Sequence, residues 1–200
     1  TAVWSDPALI QTFVNSMYRN ALGLPFSIER LSDYCDETFF TPDWDVTNFN
    51  KSLMTADGLL GWEVSWATPH TGHFRWQPLY ANIRRTNIFF SKIKTVKGDA
   101  AVITDLKGQA YFTRAWTYFY LTSLYGGVPI ITKAYTLTDK FDAPRNTYED
   151  CINFVVGQLD SAAMNLSDTY PVDGHISKGA ALTFKARVLL YAASDLHNPA

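Results

Sequence analysis

The chain has 200 residues, of which 47% are apolar and 15% aromatic but only 18% charged. This length can supply one or two domains with a sizeable buried core. Seventeen basic and nineteen acidic residues give a net charge of -2, which argues against nucleic acid as a partner because no excess of positive charge attracts phosphate. The only cysteines, Cys35 and Cys151, are either two buried thiols or one long-range disulfide.

Apolar residues recur at three and four along five segments, which predicts five helices. The first helix is expected to begin at Ser5 as the N-cap, with Pro7 early in the first turn, and to end near residues 24–25. The second spans about residues 74–97 and ends before Gly98. Its predicted buried face contains Trp76, Leu79, Tyr80, Ile83, Phe90 and Ile93.

The third helix, about residues 99–125, contains most of the stretch YFTRAWTYFYLTSLYGGVPI. Twenty such residues could cross a bilayer, but Arg114 inside the run makes that interpretation poor, because a charge at that depth costs about 2.5 to 3.5 kcal/mol. The helix is apolar almost all round, so it should be buried between neighbouring helices. Gly126 and Gly127 predict a left-handed C-terminal cap, and Pro129 opposes any continuation.

The fourth helix should begin at Thr147, with Asp150 completing a weak form of the capping box. The fifth should begin at Ser177 and continue to about residue 196, with its helical period carried by Leu182, Ala186, Leu189, Ala193 and Leu196. A short polar connection makes these two helices an antiparallel pair of the tetratricopeptide type. The expected fold class is therefore all-α, with such helix pairs and one long irregular segment.

That irregular segment, residues 26–73, lies between the first two helices and is rich in aromatic residues. Its Trp rings can stack on the C–H faces of sugars, and neighbouring Asn and Asp side chains can bond the hydroxyls. The alternative is that these rings form a small core of the segment itself. The predicted ligand-binding residues are Trp44, Asp45, Asn48, Asn50, Trp62 and Trp66.

Metal and catalytic sites have weaker signals. His70 and His73 are three residues apart, but no third His or nearby Cys completes a ligand set. An acidic cluster could hold calcium or supply paired carboxylates for glycoside hydrolysis, although the calcium-loop spacing is missing; its members are Asp33, Asp36, Glu37, Asp43 and Asp45. We therefore expect no cofactor, no bound metal and no catalytic activity.

Four ordered blocks support a more specific interpretation: WQPLYANIRRTNIFFSKI, LKGQAYFTRAWTYFYLTSLYGGVPII, APRNTYEDCINFVVGQLD and HISKGAALTFKARVLLYAAS. In order and spacing they resemble the SusD/RagB family of surface glycan-binding lipoproteins. The resemblance covers about residues 74–197 and is looser over residues 1–73. The whole chain, 1–200, looks like the N-terminal helical part of a longer family member.

The resemblance implies a noncatalytic protein at the cell outer membrane, exposed at the surface and held by a lipid anchor upstream of Thr1. It implies binding of oligosaccharide or polysaccharide and delivery of this glycan to a SusC-type TonB-dependent transporter. Arg114 and Arg187 belong to the matching blocks, where we expect a structural role in pairing carboxylates or helix ends. Two alternatives stay open: a tetratricopeptide-type scaffold for a peptide or protein, and an α-helical glycoside hydrolase.

Overall fold

The computed structural model describes residues 2–21, 76–169 and 174–198. Within these ranges it consists of helices joined by irregular segments and contains no β-strand, so the predicted all-α class is confirmed. The α-helices are α1 (Pro7–Ala21), α2 (Trp76–Lys92), α3 (Ala100–Tyr125), α4 (Tyr148–Asn165) and α5 (Lys178–Ala192), with short 3-10 helices at Ala2–Ser5 and Ile93–Thr95. The irregular segment predicted at residues 26–73 lies outside the described residues.

Capping side chains determine where the helices begin. In α1 the cap is Asp6 and not Ser5, since the Asp6 Oδ1 atom accepts a hydrogen bond from the Ala8 amide at 2.9 Å. A carboxylate has the advantage of its charge beside the positive end of the helix dipole. The capping box of α4 is confirmed: Thr147 Oγ1 accepts from the Asp150 amide at 3.0 Å, and Asp150 Oδ2 accepts from the Thr147 amide at 3.3 Å.

Helix α3 is the central element, because α1, α2 and α4 all pack against it. Its buried residues lie on every side of the helix, as predicted from its apolar composition. The buried threonine hydroxyls of Thr113, Thr117 and Thr122 donate to carbonyl oxygens one turn earlier at 2.7 to 3.0 Å, so they do not need an outside partner. The predicted glycine end is confirmed in part: Gly126 has a positive φ of 69°, but its ψ of -140° differs from that of a left-handed helical cap.

The neighbours of α3 and α4 show that these helices are antiparallel. Gly108 lies against Leu166, the Arg114 guanidinium bonds Gln158, and the Tyr118 ring meets Phe154. Residue numbers along α4 therefore decrease as those along α3 increase. The same argument makes α2 and α3 antiparallel, from the pairs Asn82–Thr117, Asn87–Arg114 and Phe90–Tyr111.

Helices α4 and α5 form the expected antiparallel pair. The Tyr148 ring at the start of α4 stacks on His197, which follows α5, with 3.9 Å between ring centroids. In the middle, Lys185 Nζ lies 2.5 Å from the Asp160 carboxylate. Apolar side chains of α3, α4 and α5 share one core, in which Leu159 is completely buried.

The buried side of α5 differs from the predicted one. Leu182 and Leu189 are 47% and 46% exposed, and Leu196 lies beyond the end of the helix. The buried residues are instead Ala181, Phe184 and Val188. The physical reason is that small and apolar residues occur on all sides of this helix, so the periodicity alone does not define its buried face. The Phe184 ring defines that face by stacking on Trp116, with 4.5 Å between the ring centroids.

A second apolar cluster joins α1 to α2 and to the start of α3. Its buried members are Ile10, Val14, Met17, Phe89, Ile93, Leu106 and Ala110. The predicted face of α2 is confirmed in part: Leu79, Ile83 and Ile93 are buried, whereas Trp76 is 36% exposed. None of the described helices is long and apolar enough to cross a membrane.

Candidate ligand-binding groove

The residues predicted to bind ligand, Trp44, Asp45, Asn48, Asn50, Trp62 and Trp66, lie outside the described residues, so that prediction stays a prediction. Cys35, His70, His73 and the acidic cluster of residues 33–45 also lie outside them. Cys151 is a buried free thiol, and burial raises its pKa. In the described ranges no group of three or more His, Cys, Asp or Glu side chains is arranged to hold a metal ion.

The described residues contain a groove between α2 and the irregular segment that follows α3. Its volume is about 490 Å³, which is within the usual range for small-ligand sites. Helix α2 contributes Trp76, Tyr80, Ile83 and Arg84, and the segment contributes Pro129, Ile131, Lys133, Tyr135, Phe141 and Ala143. We call residues 127–146 the wall segment.

Side chains of the helices hold the backbone of the wall segment in place. The Tyr80 hydroxyl donates to the Pro129 carbonyl at 2.8 Å, and the Asn87 side-chain amide donates to the Ile131 carbonyl at 2.8 Å. The Tyr118 hydroxyl accepts from the Ile131 amide at 2.7 Å. Burial raises the pKa of Tyr80 and of Tyr118, so both hydroxyls stay protonated at neutral pH. These side-chain hydrogen bonds satisfy backbone groups of the wall segment that a neighbouring strand would pair in a β-sheet.

A close backbone approach fixes the two ends of the wall segment to each other. The Asn146 amide donates to the Val128 carbonyl at 3.2 Å, and the Asn146 side chain accepts from the Ile130 amide at 2.9 Å. Gly127 permits this approach, because a Cβ atom there would overlap the Asn146 carbonyl oxygen and lie 3.0 Å from the Thr147 carbonyl carbon. Glycine at this position is therefore required by space.

Arg114 connects the wall segment to the core in a way that the sequence did not predict. Its guanidinium donates to the Gln158 side-chain oxygen at 2.5 and 2.8 Å and to the Asn87 side-chain oxygen at 3.2 Å, and it lies 4.3 Å from the Phe90 ring centroid. The prediction of a carboxylate or helix-end partner is wrong, because the partners are two uncharged side-chain amides and an aromatic ring. Burial lowers the pKa of Arg114 to about 10. Asn87 thus links Arg114 to the wall segment, because its side chain accepts from Arg114 and donates to the Ile131 carbonyl.

Arg187, the other arginine expected to pair with a carboxylate or a helix end, is exposed on α5. Among the residues that the structure describes, no carboxylate forms an ion pair with it. Its positive charge opposes the rise that burial causes in the pKa of Tyr120.

Aromatic rings line the groove at both ends. At one end the Trp76 ring lies 4.8 Å from Tyr80 and 5.3 Å from Tyr125. At the other end Tyr135 and Phe141 meet edge to face at 5.2 Å, and Phe141 is 62% exposed. Flat apolar faces at the mouth of a cavity suit the C–H faces of a sugar ring.

Positive charges also border the groove. Lys133 Nζ lies 2.5 Å from the Asp139 carboxylate, and its hydrogen bond, together with those from Thr136, lowers the pKa of Asp139 well below the ordinary value. The Arg84 guanidinium donates to the Tyr135 carbonyl, and the Arg145 guanidinium lies 5.5 Å from the Trp76 ring centroid. The arrangement can stack a ring and attract a negative group.

Sequence reasoning did not find this groove, although part of its signal was present. Trp76, Tyr80 and Arg84 follow one another at four-residue spacing, which places them along one line of α2. The periodicity places Trp76 and Tyr80 on the predicted buried face of the helix, so it does not indicate that they line a groove. Tyr135 and Phe141 belong to a segment without periodicity, so nothing in the sequence brings them to α2.

An all-helical scaffold of antiparallel pairs, with an aromatic and cationic groove, defines a helical ligand-binding protein. Comparison with known proteins makes the class specific. A SusD-like family model, described as starch-binding and associating with the outer membrane, matches residues 2–190. The chain belongs to this SusD-like family of outer-membrane-associated, carbohydrate-binding proteins. The resemblance to the SusD/RagB family stated from the sequence is therefore confirmed.

Individual relatives agree with this assignment. A SusD-like protein of Formosa agariphila is 33% identical over 60% of this chain and 24% of its own length. The crystal structure of a SusD-like protein from Bacteroides fragilis matches 95% of this chain and 36% of its own, with 27% identity and a TM-score of 0.74. A laminarin-binding SusD-like protein shares the fold, with 22% identity over 64% of this chain and 31% of its own and a TM-score of 0.56. The tetratricopeptide-like fold is thus confirmed, and the chain spans about a quarter of the length of the curated relatives it matches.

Proposed function

We propose that the protein is a noncatalytic glycan-binding component of the cell surface, which captures an oligosaccharide or polysaccharide and delivers it to a SusC-type TonB-dependent transporter of the outer membrane. The observation that carries this proposal is the match of the family model to residues 2–190. In this account a lipid anchor upstream of Thr1 keeps the protein at the outer surface. The helices supply a fixed scaffold, and the segments between them bind the ligand.

The proposed ligand site is the aromatic part of residues 26–73. Trp44 offers a ring for stacking, and Asp45, Asn48 and Asn50 offer hydrogen bonds to sugar hydroxyls. Trp62 and Trp66 add further stacking faces. Stacking rings and side-chain hydrogen bonds suit the binding of a sugar, and the noncatalytic assignment follows from the family.

A glycan array followed by affinity electrophoresis tests the proposal. We expect the protein to bind a glycan, Trp44→Ala to abolish that binding, and Asp45→Asn to weaken it by about tenfold. Asp195→Asn is the matched control, because Asp195 is exposed after α5 and far along the chain from the proposed site. Circular dichroism checks that each variant keeps its helices. Release of sugar products from a bound glycan by the pure protein would contradict the noncatalytic assignment.

A scaffold that binds a peptide or a protein is the second candidate. The observation that favours it is the row of exposed leucines on α5, where Leu182, Leu189 and Leu190 are 47%, 46% and 77% exposed. The same array distinguishes the two candidates. Absence of binding to every glycan, with the helices intact, would favour the peptide or protein scaffold.

A further inference from the structure

The groove has a charge imbalance that the proposed function does not explain. Its described lining contains two cations, Arg84 and Lys133, and no carboxylate. Lys133 is paired with Asp139, but no carboxylate among the described residues forms an ion pair with Arg84 or with Arg145. Among the described lining residues, the charge that no carboxylate pairs is therefore the positive charge of Arg84.

Arg84 is held in place and keeps donors available. The Tyr135 carbonyl accepts from one of its guanidinium N–H groups, and a guanidinium carries five such donors. That bond ties the Arg84 side chain to Tyr135 on the opposite side of the groove lining. A planar guanidinium binds a carboxylate or a sulfate through two parallel hydrogen bonds, which a paired lysine such as Lys133 cannot provide.

We propose that this groove is a second saccharide site that binds an anionic sugar residue, a uronate or a sulfated hexose, with its ring on the aromatic side chains and its negative group beside Arg84. The inference rests on the proposed binding of glycans and names the class of sugar for this groove. Trp76 and Phe141 are the exposed rings at its two ends, being 36% and 62% exposed. The volume of about 490 Å³ is sufficient for a small ligand, and hydrogen bonds from Tyr80, Asn87 and Tyr118 hold the wall segment.

Two matched pairs of glycans test the charge requirement. Polygalacturonate fragments are compared with their methyl esters, and dextran sulfate with dextran, by isothermal titration calorimetry. The first pair reports on a carboxylate and the second on a sulfate ester. We expect at least one anionic member to bind about tenfold or more tightly than its neutral counterpart, and this preference to fall as salt is raised.

Matched variants then place the preference in the groove. Arg84→Gln should reduce the affinity for the anionic glycan about tenfold, and Arg84→Glu should reduce it further. Arg85→Gln makes the same charge change one residue along α2, outside the lining, and should have no effect. Phe141→Ala should weaken binding, whereas Leu137→Ala, which changes a fully exposed residue of the same segment, should not.

The outcomes separate this inference from the proposed function. Equal affinity for neutral and anionic glycans would overturn the inference. So would an anionic preference that survives Arg84→Glu and disappears in Trp44→Ala, although glycan binding itself would then stand. Preference lost in Arg84→Gln but kept in Trp44→Ala would support the groove as a separate site. Absence of binding to any glycan would overturn both proposals.

Discussion

Two regions of this molecule are held together by different interactions. Helices α3, α4 and α5 share a core of apolar side chains, among them Leu159, Phe184 and Val188, and their polar contacts are secondary. The wall segment has no regular structure, and single polar side chains of the neighbouring helices hold its backbone. Loss of a core side chain therefore leaves a cavity in the scaffold, whereas loss of one of these polar side chains mainly affects the position of the wall segment. The shape of the groove therefore depends on a few polar side chains: Tyr80, which also lines it, and Asn87 and Tyr118, which do not.

Loss of a core side chain should have the largest effect on folding. Leu159→Ala removes a completely buried residue of α4, and we expect it to lower the free energy of unfolding by about 3 to 5 kcal/mol. Met164→Ala is the control on the same helix, because Met164 is 76% exposed and should change stability by about 0.5 kcal/mol or less. Urea unfolding followed by circular dichroism measures both. Similar effects of the two variants would contradict the core described for α4.

Arg114 joins the two regions, so its removal should affect both. Arg114→Ala leaves the oxygens of Asn87 and Gln158 without their donor and should cost about 3 kcal/mol of stability. Since burial lowers the Arg114 pKa to about 10, its charge does not stabilise the fold. Arg114→Met should therefore destabilise less than the alanine variant, and Arg114→Lys should not rescue stability.

Arg187→Ala is the control for that series. Arg187 is exposed, and its loss should change stability by about 0.5 kcal/mol or less. Chemical denaturation of the four variants gives the comparison. Full rescue by lysine at position 114 would mean that the positive charge itself is what the core requires.

Gly127 tests the close approach that shapes the wall segment. Gly127→Ala places a methyl group against the Asn146 carbonyl and should destabilise the protein by about 1 to 3 kcal/mol. Gly157→Ala makes the same change in α4, where a Cβ meets nothing within 4 Å, and should stabilise by about 0.5 to 1 kcal/mol. Thermal unfolding distinguishes the opposite signs. A neutral Gly127 variant would show that the ends of the wall segment move apart without cost.

The smallest effect should be local and dependent on pH. Lys133 and Thr136 lower the pKa of Asp139, so the folded state favours the carboxylate and the stabilisation is present above the ordinary carboxyl pKa. It should be lost as the pH falls through the lower pKa of the folded state. An NMR titration of the Thr136 amide, which donates to Asp139 at 2.6 Å, follows this change. Lys133→Gln should move the midpoint up, and Lys140→Gln should leave it unchanged.

The sequence was most informative where a single local rule decides the structure. The capping box of Thr147 and Asp150 and the positive φ of Gly126 follow from the sequence because they depend only on neighbours within a few residues. The apolar period of α5 did not identify its buried side. Leu182 and Phe184 satisfy the apolar pattern equally, and only packing against Trp116 distinguishes them. That contact joins residues of two different helices, so local rules do not predict it.

The groove was beyond prediction for a related reason. Tyr80 and Pro129 are 49 residues apart, and Arg84 and Tyr135 are 51 apart, so no short motif connects them. The residues of the groove are brought together by long-range contacts between α2, α3 and the wall segment. The family could still be predicted, because its ordered blocks correspond to the helices that form the scaffold.

In the proposed function, segments between the helices bind a glycan while the helices remain a scaffold. Hydrogen–deuterium exchange of the protein, with and without the tightest-binding glycan of the array, tests it most directly. We predict that bound glycan slows exchange in residues 40–66, and that an anionic glycan also slows it in residues 129–143. Protection confined to α4 and α5 would contradict the claim and favour the helix pair as the binding surface.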